Sequence, residues 1–140
     1  MFLKEKYLPT GAFDKLKARL VAGGDQQNNN LYDDLSSPTV STSVVFTVFI
    51  IAAHEGRNAA VVDIGGAYLN AYMNTGIEVH MRLDKIMSGM MIKLCEDYKK
   101  YADNRGCIVV RLDRALYGCV ESAALWYENL SATLLTLGYI

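Results

Sequence analysis

Net charge is almost absent from this chain. At −1, with a pI near 6.1, the sequence as a whole lacks the basic excess that marks a dedicated nucleic-acid-binding domain. Cysteine is scarce as well. Cys95, Cys107 and Cys119 are too few and too far apart for a disulfide framework, and their odd number suits free thiols in a reducing compartment. The two histidines, His54 and His80, bring no close-paired ligand spacing from which to build a zinc site with those cysteines. Long apolar runs are missing too. The longest, Val44 to Ala53 with Thr47 inside it, falls far short of the ~20 residues that a membrane span needs. Met1 is followed by Phe2, Leu3 and alternating charge, which is not the layout of a signal peptide, so nothing in this stretch directs export. Neither an internal repeat nor a linker interrupts the chain.

What is present is 51% hydrophobic and 21% charged residues over 140 positions, the composition of one globular unit. Charge is uneven. Residues 1–22 hold Lys4, Lys6, Lys15, Lys17 and Arg19 against Glu5 and Asp14. The segments 2–8 and 12–22 alternate in character about the turn signal Pro9-Thr10-Gly11, which predicts a β-hairpin. In its second arm Lys15, Lys17 and Arg19 are two apart and share one face, opposite Leu16, Ala18 and Leu20. Such a face can meet phosphate; from charge alone, a solvated strand surface is the simpler account.

Residues 23–38, rich in Gly, Asn and Gln, read as a loop, and Tyr32-Asp33-Asp34 as acids within it. Ser41 or Thr42 can cap a helix that ends near Gly56 and is apolar on every side, which predicts burial nearly all round. Ala59 to Ile64 reads as a short buried strand carrying Asp63 at its end, before Gly65-Gly66. A carboxylate there must be paired, hydrogen-bonded or metal-bound, or else cap the turn at Gly65. Further along, the patterns predict a strand over 77–83 and a helix over 84–102 with a stripe of Met87, Met90, Met91 and Leu94. A strand over 107–112 follows, then a helix over 121–137 with Trp126, Leu130, Leu134 and Leu137 on one side. The economical fold class is α+β.

Four separated stretches carry more specific information: KLKARLVAGG at 15–24, SSPTVS at 36–41, VVDIGGAYLNA at 61–71 and RALYGCVESAALWYENL at 114–130, with Gly138-Tyr139 after the last helix. In this order and spacing the chain resembles the reverse transcriptase domain of copia-type retrotransposons over nearly its whole length. The resemblance implies a fingers hairpin plus the first half of a palm. Residues 1–57 would be fingers, and 58–140 the start of the palm with a returning fingers segment. It implies an RNA-directed DNA polymerase working on an RNA/DNA template-primer and dNTPs with Mg2+, inside a longer pol polyprotein, intracellular and cytoplasmic. Asp63 matches the first catalytic, metal-holding aspartate. Lys17 and Arg19 match contacts to the incoming triphosphate, and Tyr68, which by itself reads equally as a core aromatic, matches the aromatic that packs against the incoming sugar. Glu121 stands where the family commonly has a glutamine beside the template and base pair; with Ser122 it also reads as a helix N-cap.

In that family the remaining carboxylates come from a Tyr-x-Asp-Asp motif beyond the point where these residues stop. The expectation is therefore a fragment that is inactive alone and binds Mg2+ weakly or not at all. Two alternatives from other classes stand beside it: a non-catalytic nucleic-acid-binding protein built on the basic hairpin, and a small α/β interaction module. A truncated palm should also leave apolar surface uncovered.

Overall fold

Every strand among the described residues has a single neighbour. In the computed structural model, residues 2–139 are described; Met1, which entered the leader argument above, and Ile140 lie outside them. The fold is mixed α/β with two small antiparallel sheets. One pairs β1 (Phe2–Tyr7) with β2 (Phe13–Arg19), and the other pairs β3 (His80–Leu83) with β4 (Ile108–Arg111). Three α-helices accompany them: α1 (Thr42–His54), α2 (Lys85–Leu94) and α3 (Ser122–Thr136).

The hairpin forms where its turn chemistry puts it. Gly11 adopts φ +83°, Gly11 N donates to Leu8 O and Leu8 N to Ala12 O, both at 2.9 Å, which closes the reversal. The register then sets Lys4 opposite Lys17 and Lys6 opposite Lys15.

The best-packed part of the chain lies around the second sheet and the start of α3. Asp84 caps α2, its Oδ1 accepting from Met87 N at 2.8 Å. Within α2, Ser88 is fully buried: its hydroxyl donates to Leu83 O at 3.2 Å and accepts from Ile108 N at 3.0 Å, tying the helix to both strands. The expected helix over 84–102 is divided. Cys95 turns extended (φ −151°, ψ 112°), and the short helical turn Glu96–Tyr101 follows with its acids at its own N-terminus, where the helix dipole favours them. The Met stripe is accordingly only partly covered, Met87 and Met91 being half-buried and Met90 exposed. Asp103 shapes the turn into β4. Its carboxylate accepts from Cys107 N (2.9 Å), Arg105 N (2.8 Å) and Arg82 (3.0 Å), and the two amides and the guanidinium hold it below the usual carboxylate range. Ala71, Ala115 and Leu125 form a small core, with Tyr68 and Met73 packed on it.

Three sequence expectations are corrected. The helix expected to be buried all round, α1, begins at the predicted cap, Ser41 Oγ accepting from Val44 N at 3.4 Å, yet none of its residues is buried. Phe46, Val48 and Ile50 are exposed because no other described element packs extensively on this helix. Residues 59–64 are irregular and exposed instead of a buried strand, with Val61 at 90% and Val62 at 80% exposure. A strand needs a neighbour for its backbone amides and carbonyls, and no described segment pairs with this one. Finally, α3 buries Ala124 and Leu125 near its start, while Leu134 and Leu137 of the expected stripe project outward.

The chain therefore exposes 11190 Å² of accessible surface. A complete monomer of 15.5 kDa follows a size scaling that gives about 7200 Å². The excess is about 4000 Å², much of it apolar and carried by α1, the hairpin and residues 61–64.

Candidate functional site

Direct cross-strand pairs share a face, so the β1–β2 register gathers Phe2, Lys4, Lys6, Lys15, Lys17 and Arg19 on one side. These side chains are exposed, and Phe2, Lys4, Lys6, Lys17 and Arg19 line a shallow cleft of about 180 Å³. Among the described residues, only Lys15 of these cations has a carboxylate within reach, Asp14 at 3.8 Å on the surface. Like charges directly opposite one another repel, so this ladder weakens the hairpin unless an anion lies across it.

The hairpin's two strands pack extensively only on each other. Their attachment to the rest of the chain is the segment after β2. There Ala22 N donates to Tyr117 O at 2.7 Å, and two glycines allow the crossing. A Cβ on Gly24 would stand 1.8 Å from Gly118 O, and one on Gly118 (φ +95°) would stand 2.2 Å from Ala22 O. Beyond the crossing, Gln27 Oε1 accepts from Val120 N at 2.8 Å. Its amide nitrogen donates to Glu121 Oε2 and to the Tyr32 hydroxyl, each at 3.0 Å. Tyr32 in turn donates to Glu121 Oε1 at 2.8 Å.

Glu121 is thus buried, at 1% exposure, with both carboxylate oxygens bonded within the chain. It occupies the residue before α3 but makes no side-chain cap bond there. Burial and the hydrogen bond to Glu121 push Tyr32 up to about 12. Burial, reinforced by the Glu121 charge, pushes the Cys119 thiol up as well, which keeps it protonated and unreactive. Ser122 closes the turn, donating to Leu116 O at 2.7 Å and accepting from Leu116 N at 3.1 Å.

Tyr68 lies on the helical turn Ala67–Asn70, entered through Gly66 at φ +62°, and Asn70 Nδ2 donates back to Gly66 O at 3.2 Å. The Tyr68 ring meets that of Tyr117, centroid to centroid, at 4.4 Å and a tilt of 43°. The same two stretches are laced by backbone bonds: Ala115 N donates to Ala71 O at 2.9 Å, and Arg114 reaches Asn70 O at 3.2 Å. Segments 15–24, 61–71 and 114–130 converge here, at one corner of the molecule. The 36–41 stretch does not join them; it leads into the cap of α1.

Of the predicted site residues, Tyr68 and Glu121 stand in this corner, and Lys17 and Arg19 stand on the hairpin attached to it. Asp63 is exposed and, among the described residues, enters no hydrogen bond or ion pair, nor does it cap the turn at Gly65. No three metal-ligating side chains gather anywhere among the described residues. Magnesium takes several hard oxygen ligands, so Asp63 by itself does not make a site for it. Sequence reasoning passed over Gln27, Tyr32 and Tyr117. The Tyr117-Gly118 pair within the third converging stretch was the available signal for the last of these.

Comparisons with known proteins bear on the same stretches. Residues 4–140 match the family model described as reverse transcriptase (RNA-dependent DNA polymerase). The chain is 28% identical over 137 residues to the retrovirus-related Pol polyprotein from transposon RE2 of Arabidopsis thaliana, a match covering 97% of this chain and 8% of that protein. The corresponding polyprotein from transposon RE1 of the same plant matches to the same extent, 28% over 137 residues. The transposon Ty1-BL Gag-Pol polyprotein of Saccharomyces cerevisiae is 32% identical over 120 residues, 85% of this chain and 6% of the yeast protein. The chain thus spans less than a tenth of the length of these relatives. No solved structure matches it.

Proposed function

Because the chain belongs to the reverse transcriptase family and corresponds to a small part of copia-type Pol polyproteins, we propose that it is the fingers and first half of the palm of an RNA-directed DNA polymerase. Residues 1–57 are the fingers, and 58–140 begin the palm and return to the fingers. The observation that carries this reading is the convergence of 15–24, 61–71 and 114–130. Three stretches far apart in sequence meet through the Ala22–Tyr117 bond, the Tyr68–Tyr117 ring contact and the Ala71–Ala115 bond. A polymerase needs its phosphate-binding, sugar-sensing and template-side elements in one place, and the convergence of these stretches supports that reading.

In this reading Lys17 and Arg19 meet the triphosphate of the incoming dNTP, where cations on a projecting hairpin can close over phosphate oxygens. Tyr68, its ring backed by Tyr117, excludes a 2′-hydroxyl by contact. Asp63 contributes one carboxylate to a magnesium-binding set, and bound magnesium would supply charge stabilisation at the transferring phosphate. The described residues do not provide the rest of that set, so no catalytic step is assigned to this chain alone. The other carboxylates, and the cover for about 4000 Å² of excess surface, come from the remainder of the polyprotein, working on an RNA/DNA template-primer. Three free thiols suit a reducing compartment, in keeping with a cytoplasmic parent. A second reading, non-catalytic binding of nucleic acid, is favoured by the five cations on one hairpin face and remains compatible with the first.

The test is primer extension. The 140-residue chain should incorporate no dNTP on a poly(rA) template with magnesium or manganese. Joined to a relative's downstream half it should do so, with Asp63→Asn abolishing incorporation. In that joined enzyme, Tyr68→Val should lower the kcat/KM preference for dCTP over CTP by about tenfold or more, each tenfold being about 1.4 kcal/mol of lost discrimination. Incorporation that survives Asp63→Asn, or a folded Tyr68→Val enzyme with an unchanged ratio, would overturn the corresponding assignment.

A further inference from the structure

A buried carboxylate needs a reason to be kept, and among the described residues Glu121 pairs with no cation. What it has is a matched set of donors. Tyr32 O–H reaches Oε1 at 2.8 Å and the Gln27 amide reaches Oε2 at 3.0 Å, while the other end of that amide accepts from Val120 N at 2.8 Å. Every polar atom of the cluster is used, and no buried side-chain nitrogen or oxygen among the described residues lacks a partner. The cluster sits directly after the Gly24–Gly118 crossing, where the cationic hairpin joins the body of the protein.

We propose that Glu121 is a positioning residue: with Gln27 and Tyr32 it locks the segment after β2 onto the turn before α3, and so fixes where the Lys17–Arg19 strand stands relative to Tyr68 and Tyr117. The lock deepens the polymerase reading, since it would orient phosphate-binding residues over a sugar-sensing one, but its geometry does not depend on any substrate. A carboxylate suits the position because both facing groups are donors. An amide at 121 keeps only one acceptor for those two donors, so either its N–H2 faces Gln27's or the Tyr32 O–H loses its acceptor.

That asymmetry supplies the test, made on the 140-residue chain. In Glu121→Gln one of the two donors, the Gln27 N–H or the Tyr32 O–H, loses its acceptor; in Gln27→Glu two carboxylates face each other. The double variant Gln27→Glu/Glu121→Gln restores a donor facing an acceptor, keeps Val120 N satisfied and keeps one buried carboxylate. Amide hydrogen exchange at Ala22 and Val120 should quicken at least tenfold in each single variant and return to within about threefold in the double. The Overhauser contact between the Val21 methyl and Gly118 Hα should vanish and return in parallel. A spectroscopic signature accompanies it: the Tyr32 ionisation near 12 should fall toward the ordinary tyrosine range in Glu121→Gln, because the anion that opposes it is gone. Protection at Ile108, bonded to Ser88 in the other sheet, should not change.

Unchanged Ala22 exchange in the single variants would overturn the proposal, as would a folded double variant that fails to recover. Loss of Ile108 protection in Glu121→Gln would overturn it too, since the effect would then be global and not confined to the seat of the hairpin. Because no nucleotide enters these measurements, their failure is separable from failure of the polymerase reading.

Discussion

Replacing Gly24 with alanine isolates the contact on which the hairpin's attachment rests. Gly24 is not in the left-handed region, so alanine meets no backbone strain there, and elsewhere such a change stabilises by about 0.4–1 kcal/mol through the unfolded chain. Here the sign should reverse. The new Cβ would lie 1.8 Å from Gly118 O, against roughly 3.2–3.4 Å for an unstrained carbon–oxygen contact, so the two segments must part by about 1.5 Å. That separation lengthens the Ala22–Tyr117 bond from 2.7 Å to beyond hydrogen-bonding reach and pulls on the Gln27–Val120 bond two turns later. Two or three bonds at about 1 kcal/mol each, less the gain in the unfolded state, leave a net loss of about 1–3 kcal/mol. Amide exchange at Ala22 should therefore accelerate by about 5- to 150-fold, while Gly89→Ala, whose Cβ would meet nothing within 4 Å and whose backbone is not left-handed, should leave Ala22 unaffected. Equal or slower exchange at Ala22 in Gly24→Ala would refute the steric argument, and with it the claim that this corner is closed by backbone contact.

Two further outcomes follow from the charges. Lys4→Glu converts the Lys4–Lys17 pair to opposite charge and should stabilise the hairpin by about 0.5–1.5 kcal/mol while weakening single-stranded oligonucleotide binding. Fluorescence anisotropy across a salt series reads the second effect, the wild-type slope of log K against log salt being no steeper than about −3.5 for five cations; binding as tight as wild type would remove the face from any nucleic-acid contact. Tyr32 ionises at about 12 in the folded chain, above its ordinary value, so its contribution to the lock is complete below pH 10 and is lost as pH rises from 10 through 12. Ala22 exchange, corrected for intrinsic base catalysis, should show that loss, and Tyr32→Phe should abolish the pH dependence.

The features legible in the sequence are those decided by neighbours in the chain. Pro9-Thr10-Gly11 set the hairpin and its register, Ser41 capped α1, and the start of α3 lay within one residue of its expected position. Tyr68, singled out by resemblance, has its ring half-buried against Ala71, Ala115 and Leu125. What escaped sequence reasoning depended on distant partners. Apolar periodicity in α1 and in 59–64 records an affinity for burial without saying what covers the surface, and no described element does. Glu121 looked like a cap or a template contact because its partners, Gln27 and Tyr32, come from a polar loop about 90 residues earlier whose composition suggested only exposure. Ser88 was hidden among methionines for the same reason: its two bonds reach residues on different strands.

The crossing at Gly24 and Gly118 also sets an order of events during synthesis. Ala22 and Tyr117 are 95 positions apart, and closing a loop of that length carries an entropic cost of about 4 kcal/mol before any constant term. A ribosome adding about 5–20 residues per second needs roughly 5–20 s to travel from one to the other. Throughout that interval the hairpin segment, with its five cations, is outside the ribosome without the seat that Tyr117 and Gly118 provide. A nascent chain in this condition is open to any polyanion nearby, ribosomal RNA included, and to chaperones that recognise uncovered apolar helices such as α1. Only when Gly118 has been added does the earlier segment have the seat into which it fits.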